Sequence, residues 1–267
     1  MTRTAEGMRP VAIITGASDG IGAELARIFA AKGHELALVA RRGDRLEALA
    51  DEIAGNGAAR PLPIQLDLTE QGAADVLSER LAEAGLAPNF LVNNAGFGLM
   101  GRAIELDASE QLAIIDLNMR ALTALTLRFL PSIVAAKGGV LNVASVAAFM
   151  PGPGFAVYYA TKAYVRSFSE ALSQELKPSG VKVACLCPGP VQTGFQARAG
   201  FDFSGVMGAM KPAMLPAAEV ARQGYEGLMA GKRVIVPGLV NRMFVWGSAA
   251  APRALLLPLL AIAQQRR

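Results

Sequence analysis

Near the amino terminus a short β-branched run, Val11 to Thr15, passes directly into Thr15-Gly16-Ala17-Ser18-Asp19-Gly20-Ile21-Gly22, and then into a helical pattern from about Ile21 to Ala31. A strand joined to a helix by this glycine turn leaves few choices of fold. Gly16 permits the tight turn, Gly20 lets a phosphate approach the backbone, and Gly22 lets the helix pack close to the strand. The helix start then offers free amides and a positive dipole end to a pyrophosphate. A plain turn is the competing reading, and the strand before and helix after weigh against it.

The same alternation continues downstream. Gly33 stops the first helix and Glu35 to Ala40 forms a second strand. A helix near 44–54, a strand near 62–66, a helix near 70–84 and a strand at 90–93 follow. A long helix is expected around 109–136, then a strand at 139–144, a helix over about 157–176, a strand at 182–186, a helix near 217–230 and a last strand at 233–236. Seven strands alternating with helices predict an α/β fold, a doubly wound parallel sheet with right-handed crossovers and helices on both faces. Ligands of such sheets bind beyond the carboxyl ends of the strands, where the strand order reverses. The expected division is a flexible terminus over 1–9, one catalytic domain over 10–237 with a substrate loop at about 194–216, and an apolar extension over 238–267.

Composition narrows the chemistry. The chain has 267 residues, 52% apolar and 18% charged, enough for a sizeable core. Its net charge is +4, but the basic residues are scattered apart from Arg41-Arg42 and Arg266-Arg267, so nucleic acid is not an expected partner. Cys185 and Cys187 lie in one apolar strand run, poorly spaced for a disulfide and read as core thiols. His34 is the single histidine and reads as a surface residue, which excludes an ordinary zinc site and Ser-His-Asp catalysis. Acid–base chemistry must therefore come from Tyr, Lys or a carboxylate. The first nine residues lack the apolar core of a signal peptide, and no apolar run approaches the roughly 18 residues that span a bilayer. A cytoplasmic location is the expectation.

Tyr158-Tyr159-Ala160-Thr161-Lys162 places Tyr158 and Lys162 four apart, on one face if the segment is helical. An ammonium beside a phenol favours the phenolate and draws its pKa down from about 10. A tyrosine so tuned can exchange a proton with an alcohol or carbonyl oxygen. Strand two ends at Arg41-Arg42, where an NAD site would carry an acid; arginine suits a 2′-phosphate. NADP(H) is expected in preference to NAD(H).

With these residues in place, the chain resembles the short-chain dehydrogenase/reductase family of single Rossmann domain type, over about residues 10–237. Thr15 to Gly22 fits the family's T-G-x-x-x-G-x-G, and Asn93-Asn94-Ala95-Gly96 fits its N-N-A-G. Asn118 matches the asparagine of the long helix, Ser145 stands thirteen positions before Tyr158, and Pro188-Gly189 with Thr193 matches the loop after strand six. The resemblance implies roles. Tyr158 would be general acid in reduction and base in oxidation. Lys162 would lower its pKa and bind the nicotinamide ribose. Ser145 would hydrogen-bond the substrate oxygen, and Asn118 would hold a water relaying protons to Lys162. Cofactor contacts would come from Gly16, Ser18, Asp19, Gly20, Ile21, Gly22, Arg41 and Arg42. Asp67 would accept from the adenine amino group beside Leu68. Asn93, Asn94, Ala95 and Gly96 would line the cofactor, with Pro188, Gly189, Val191 and Thr193 toward the nicotinamide. No metal is expected.

Substrate choice is expected to lie in 194–216 and 149–157, rich in glycine, aromatics and methionine (Phe195, Phe201, Phe203, Met207, Met210, Met214), as suits a lid over an apolar carbonyl compound. A lid packed on its own core is the equal alternative. The tail carries Phe244-Val245-Trp246 and a leucine run through Pro258, which should interrupt any helix there. A subunit interface or a lid edge is favoured over shallow membrane contact. The resemblance also implies a homodimer or homotetramer through the Tyr–Lys helix, exposing Ala163, Val165, Phe168 and Leu172. The function so read is hydride transfer between NADP(H) and a small carbonyl or alcohol. The rival reading is a catalytically idle NADP-binding protein that senses redox state or acts as a scaffold.

Overall fold

The computed structural model describes residues 7–191 and 214–264. The strands are β1 (Arg9–Thr15), β2 (Glu35–Ala40), β3 (Leu62–Gln65), β4 (Leu86–Asn93), β5 (Gly139–Val143), β6 (Lys182–Leu186) and β7 (Val234–Ile235). They form one sheet in the order β3-β2-β1-β4-β5-β6-β7, every described pairing parallel. The order reverses between β1 and β4. The carboxyl ends of those two strands carry the glycine turn and the Asn93–Gly96 segment, so the crevice opens between the two strongest motifs.

The helices between strands are α1 (Gly20–Ala31), α2 (Gly43–Gly55), α3 (Ala73–Glu83), α4 (Ala108–Ile115), α5 (Leu122–Ala135), α6 (Ala156–Glu175) and α7 (Ala217–Met229). They cover both faces, which is why the central strands are apolar on both. Along β1, Ala12 and Ile14 enter one core cluster with Leu25 and Phe29 of α1 and Leu228 of α7. Val11 and Ile13 enter the opposite cluster with Leu77 of α3, Phe129 of α5 and Leu172 of α6. Each fully buried side chain of this size contributes about 1.5–3 kcal/mol.

Several expectations need correction. The helix expected over 109–136 is not uniform, since Asp116–Ala121 forms a π-helical turn between α4 and α5. Strand β4 begins at Leu86, because Leu86 and Pro88 extend its buried pattern beyond the Phe90 start. Arg9 already belongs to β1 and pairs with Glu35 at 2.6 Å. His34 is half-buried in a ring cluster, 5.1 Å from Phe29 and from Phe90 between centroids and 3.2 Å from the Tyr225 hydroxyl. Burial there lowers its pKa.

The tail forms two helices, α8 (Leu239–Ala250) and α9 (Arg253–Gln264), and Pro258 lies inside the second. Proline costs a helix the bond to the carbonyl four residues earlier. Here that residue is Ala254, which is exposed, so water can replace the lost donor. Pro131 inside α5 follows the same logic, with exposed Leu127 four positions before it. On α6, Val165 and Leu172 are buried within the chain, because that face packs on the sheet and on α5; they are not available to a second subunit, whereas Ala163 is exposed. Cys185 and Cys187 are buried free thiols with sulfurs 3.6 Å apart. Thr193 and most of the expected substrate loop lie outside the described residues.

Candidate active site and cofactor cleft

Tyr158 and Lys162 lie on the buried face of α6, only 7% and 5% exposed. The Lys162 Nζ sits 5.7 Å from the centre of the Tyr158 ring and donates to the Val143 carbonyl at 2.9 Å. Ser145 follows β5 and caps a short 3-10 turn (Val146–Phe149), its Oγ accepting from Ala147 N–H at 3.1 Å. The same hydroxyl is hydrogen-bonded to the Tyr158 side chain. Ser145 is therefore both a turn cap and a neighbour of the phenol. Phe155 stacks on Tyr158 with centroids 4.5 Å apart and planes 19° apart, and Met100 and Ala147 complete an apolar wall.

Electrostatics in this wall follow burial. Desolvation pushes the Tyr158 pKa well above an ordinary phenol, opposed by the Ser145 hydrogen bond. Desolvation lowers Lys162 to about 8. The expected lowering of Tyr158 by Lys162 is thus corrected. Removal of the phenol from water outweighs a cation whose own charged form is penalised and whose Nζ points at Val143.

Asn118 is tied into the same region. It sits in the π turn, and its Oδ1 accepts from Phe97 N–H at 3.1 Å while its Nδ2 donates to the Phe97 carbonyl and to Thr161 Oγ1, both at 3.0 Å. The side chain is a clamp on the backbone after β4, which fixes Asn118 beside Thr161 and the Lys162 face. The inserted residue of a π turn explains how one side chain reaches both Phe97 and α6. Thr161, Phe97, Met100 and Phe155 were not singled out from the sequence. Thr161 alone carried a signal, as the third residue of a helical face shared with Tyr158 and Lys162.

The candidate cofactor cleft is assembled by Thr15. Its hydroxyl donates to the Val92 carbonyl at 3.1 Å and accepts from the N–H groups of Asn94 and Ala95. Asn94 Nδ2 returns bonds to the Thr15 and Gly16 carbonyls. A Cβ on Gly22 would lie 2.3 Å from the Gly16 carbonyl oxygen, and Gly16 itself has φ +65°. The turn is therefore built to hold backbone where side chains cannot go. Asp19 caps α1, accepting from Gly20 N–H at 2.7 Å. Ile21 follows in the first turn, packed against the core.

Facing that turn, Arg42 donates to Ser18 Oγ at 2.9 Å, and Arg42 and Arg45 each approach Asp19 to 3.7 Å. Arg41 lies 3.7 Å from Asp67. Asp67 is partly buried, which alone would raise its pKa, but the Thr69 amide and hydroxyl and Arg41 bring it below the usual value. Leu68 is buried beside it. Arg45 was not foreseen; it sits in the first turn of α2.

Asn93 is corrected. Its Nδ2 donates to Thr126 Oγ1 and Asn142 Oδ1, so the side chain turns into the core between β4, α5 and β5. Gly96 lies over the Asn118–Lys162 face, where a Cβ would meet Asn118 Oδ1 at 2.9 Å and Lys162 Nζ at 3.4 Å. The Pro188 carbonyl accepts from Val146 N–H, tying the loop after β6 to the Ser145 turn. Gly189 leaves no space for a Cβ against Asn241 of α8, and Val191 packs into the core.

The residues fit a dinucleotide on this geometry alone: a glycine cradle at a helix start, a nearby arginine–serine pair and a buried tyrosine at one sheet edge. Comparison with known proteins gives the same picture. Residues 10–201 match the short chain dehydrogenase family. A short chain dehydrogenase of Pseudocercospora fijiensis is 38% identical over 188 residues, 68% of this chain and 60% of that relative, so the match spans less than two thirds of its length. Among solved structures, a short-chain dehydrogenase from Sphingobium yanoikuyae in complex with NADPH is 33% identical, with TM-score 0.78 and 97% of each chain covered. A bulky-bulky ketone specific alcohol dehydrogenase from Comamonas testosteroni is 28% identical, with TM-score 0.74, 97% of this chain and 96% of that one covered. A short chain dehydrogenase/reductase from Burkholderia phymatum in complex with NAD is 25% identical, with TM-score 0.79, 90% of this chain and 93% of that one covered.

Proposed function

The chain belongs to the short-chain dehydrogenase family of nicotinamide-dependent oxidoreductases, and from that premise we propose that it reduces the carbonyl of a bulky apolar small molecule with NADPH. The observation that carries this reading is the buried group of Tyr158, Ser145 and Lys162 beside an apolar wall of Phe155, Met100 and Ala147. The glycine turn, Ser18, Arg42 and Gly96 would hold the cofactor, and its nicotinamide supplies the hydride when bound.

Tyr158 gives its phenolic proton to the substrate oxygen. Because burial raises its pKa, the tyrosine carries that proton when reduction begins. Ser145 holds the substrate oxygen by its hydroxyl, sharing it with Tyr158, and so keeps the carbonyl polarised and aligned. Lys162, still charged below about pH 8, offsets the phenolate that remains on Tyr158 after proton transfer. Phe155 and Met100 exclude water and offer contact to an apolar substrate body. The name of the Comamonas relative supports a bulky ketone, and the Sphingobium complex supports NADPH.

The preference for NADPH rests on Arg42, which reaches Ser18 across the glycine turn and is half exposed, where a 2′-phosphate would meet it. The test is NADPH and NADH oxidation against a panel of diaryl ketones, steroids, aldehydes and acyl thioesters. NADPH-linked turnover of bulky ketones supports the reading, and the absence of carbonyl-dependent turnover with either nucleotide refutes it.

A further inference from the structure

Helix α8 is two-faced in an unusual sense. Asn241, Val245 and Ser248, spaced four and three apart, are its buried side. That side seats on the backbone near the candidate site, with Asn241 against Gly189 and its Nδ2 donating to the Pro237 carbonyl at 2.8 Å. Leu239, Met243 and Trp246 have the same spacing and lie on the opposite side of the helix. They are not polar. Leu239 is 71% exposed, Met243 64% and Trp246 75%, with Val240 and Phe244 exposed on the flank. Contiguous exposed apolar side chains of this size mark a surface that meets something other than water.

Charge indicates what that is. From Gly227 to Arg267 the sequence carries Lys232, Arg233, Arg242, Arg253, Arg266 and Arg267 and no aspartate or glutamate. Arg242 lies at the edge of the exposed face, its Nε bonded to the Val236 carbonyl at 2.9 Å, and Arg253 opens the next helix, which exposes Leu257. An apolar helix face with Arg242 at its edge, in a stretch of sequence whose charged residues are all basic, matches a surface that is hydrocarbon below and anionic above. Tryptophan at its centre suits the boundary between the two. No described helix is long and apolar enough to cross a membrane, so the contact is parallel to the surface.

We propose that α8 docks this chain on the surface of an anionic lipid bilayer through Leu239, Met243, Phe244 and Trp246, with Arg242 meeting the headgroups. This assignment is independent of the hydride-transfer reading. Trp246 is the only tryptophan, so its fluorescence reports this face alone. The full-length chain is mixed with phosphatidylcholine vesicles, with or without phosphatidylglycerol, and followed by emission and by sedimentation. The proposal expects red-shifted emission in buffer, a shift to shorter wavelength with the anionic vesicles only, and co-sedimentation that weakens as salt is raised. A Leu239→Glu/Met243→Glu chain should lose binding to vesicles while its carbonyl-dependent NADPH oxidation is unchanged. No shift and no sedimentation with anionic vesicles overturns the proposal. So does binding that survives the double substitution. Short-wavelength emission in buffer alone, with a dimer mass and no response to vesicles, also overturns it and assigns the face to a second copy.

Discussion

At the scale of single residues, the candidate site is governed by burial. Lys162 has its pKa reduced from 10.5 in the unfolded chain to about 8, so between these values the unfolded chain binds more protons and stability rises with pH. Below pH 8 the full cost of the buried charge is present. Lys162→Met should therefore be more stable than the wild type at pH 7, by up to about 3 kcal/mol less the lost Val143 bond. That advantage should shrink as pH rises from 8 to 10.5, which urea unfolding at several pH values measures. Reductive turnover should fall through about pH 8 as Lys162 loses its charge, while NADPH binding changes less. Gly98 offers a separate check, since a Cβ there would lie 2.7 Å from Tyr158 Cδ2 and 2.8 Å from Phe155. Gly98→Ala should displace the phenol and lower kcat about 10-fold or more, with a smaller effect on cofactor affinity. Much of this was legible in the sequence, because Tyr158, Lys162 and Ser145 carry their spacing in the chain. The direction of the Tyr158 shift was not legible. Burial is a property of the folded wall: Phe155 stands three residues before Tyr158, but Met100 and Ala147 reach it only through the fold.

At the scale of elements, the strand-and-helix alternation was readable because each central strand is apolar on both faces and each helix has one apolar stripe. The π turn at Asp116–Ala121 was not, since no residue type there forbids an ordinary helix; only the pull of Asn118 toward Phe97 and Thr161 reveals it. Pro258 misled for a similar reason. Pro131 and Pro258 are tolerated because the carbonyls they orphan belong to exposed residues, a fact of packing rather than of sequence. Asn118→Ala should remove three buried hydrogen bonds and destabilise the chain by roughly 2–4 kcal/mol, seen in the urea midpoint. It should also raise the KM for NADPH by loosening the backbone around Gly96 and Phe97. Unchanged stability would mean that the clamp is dispensable and that the π turn has another cause.

At the scale of the whole molecule, the sheet order brings the β1 and β4 ends together, and both carry motifs that the sequence exposed in advance. The crevice between them explains why Thr15, Asn94 and the glycine turn bond to one another across long separations in the chain. Parts of the site made by distant contacts were hidden: Arg45 facing Asp19, Asn241 against Gly189, and Asn93 turned into the core. A ligand that binds only the folded chain stabilises it by mass action, about 2.7 kcal/mol at a hundredfold excess over Kd. NADPH should therefore raise the melting temperature more than NADH at equal concentration, and Arg42→Ala should erase most of that difference. Equal shifts for both nucleotides in the wild type would remove Arg42 from cofactor choice. The central claim concerns proton transfer from one buried phenol. Its most direct test is Tyr158→Phe, with NADPH affinity and single-turnover reduction of an accepted ketone measured side by side. The account predicts near-normal NADPH binding with turnover reduced about 100-fold or more, whereas wild-type rates in that variant would contradict it.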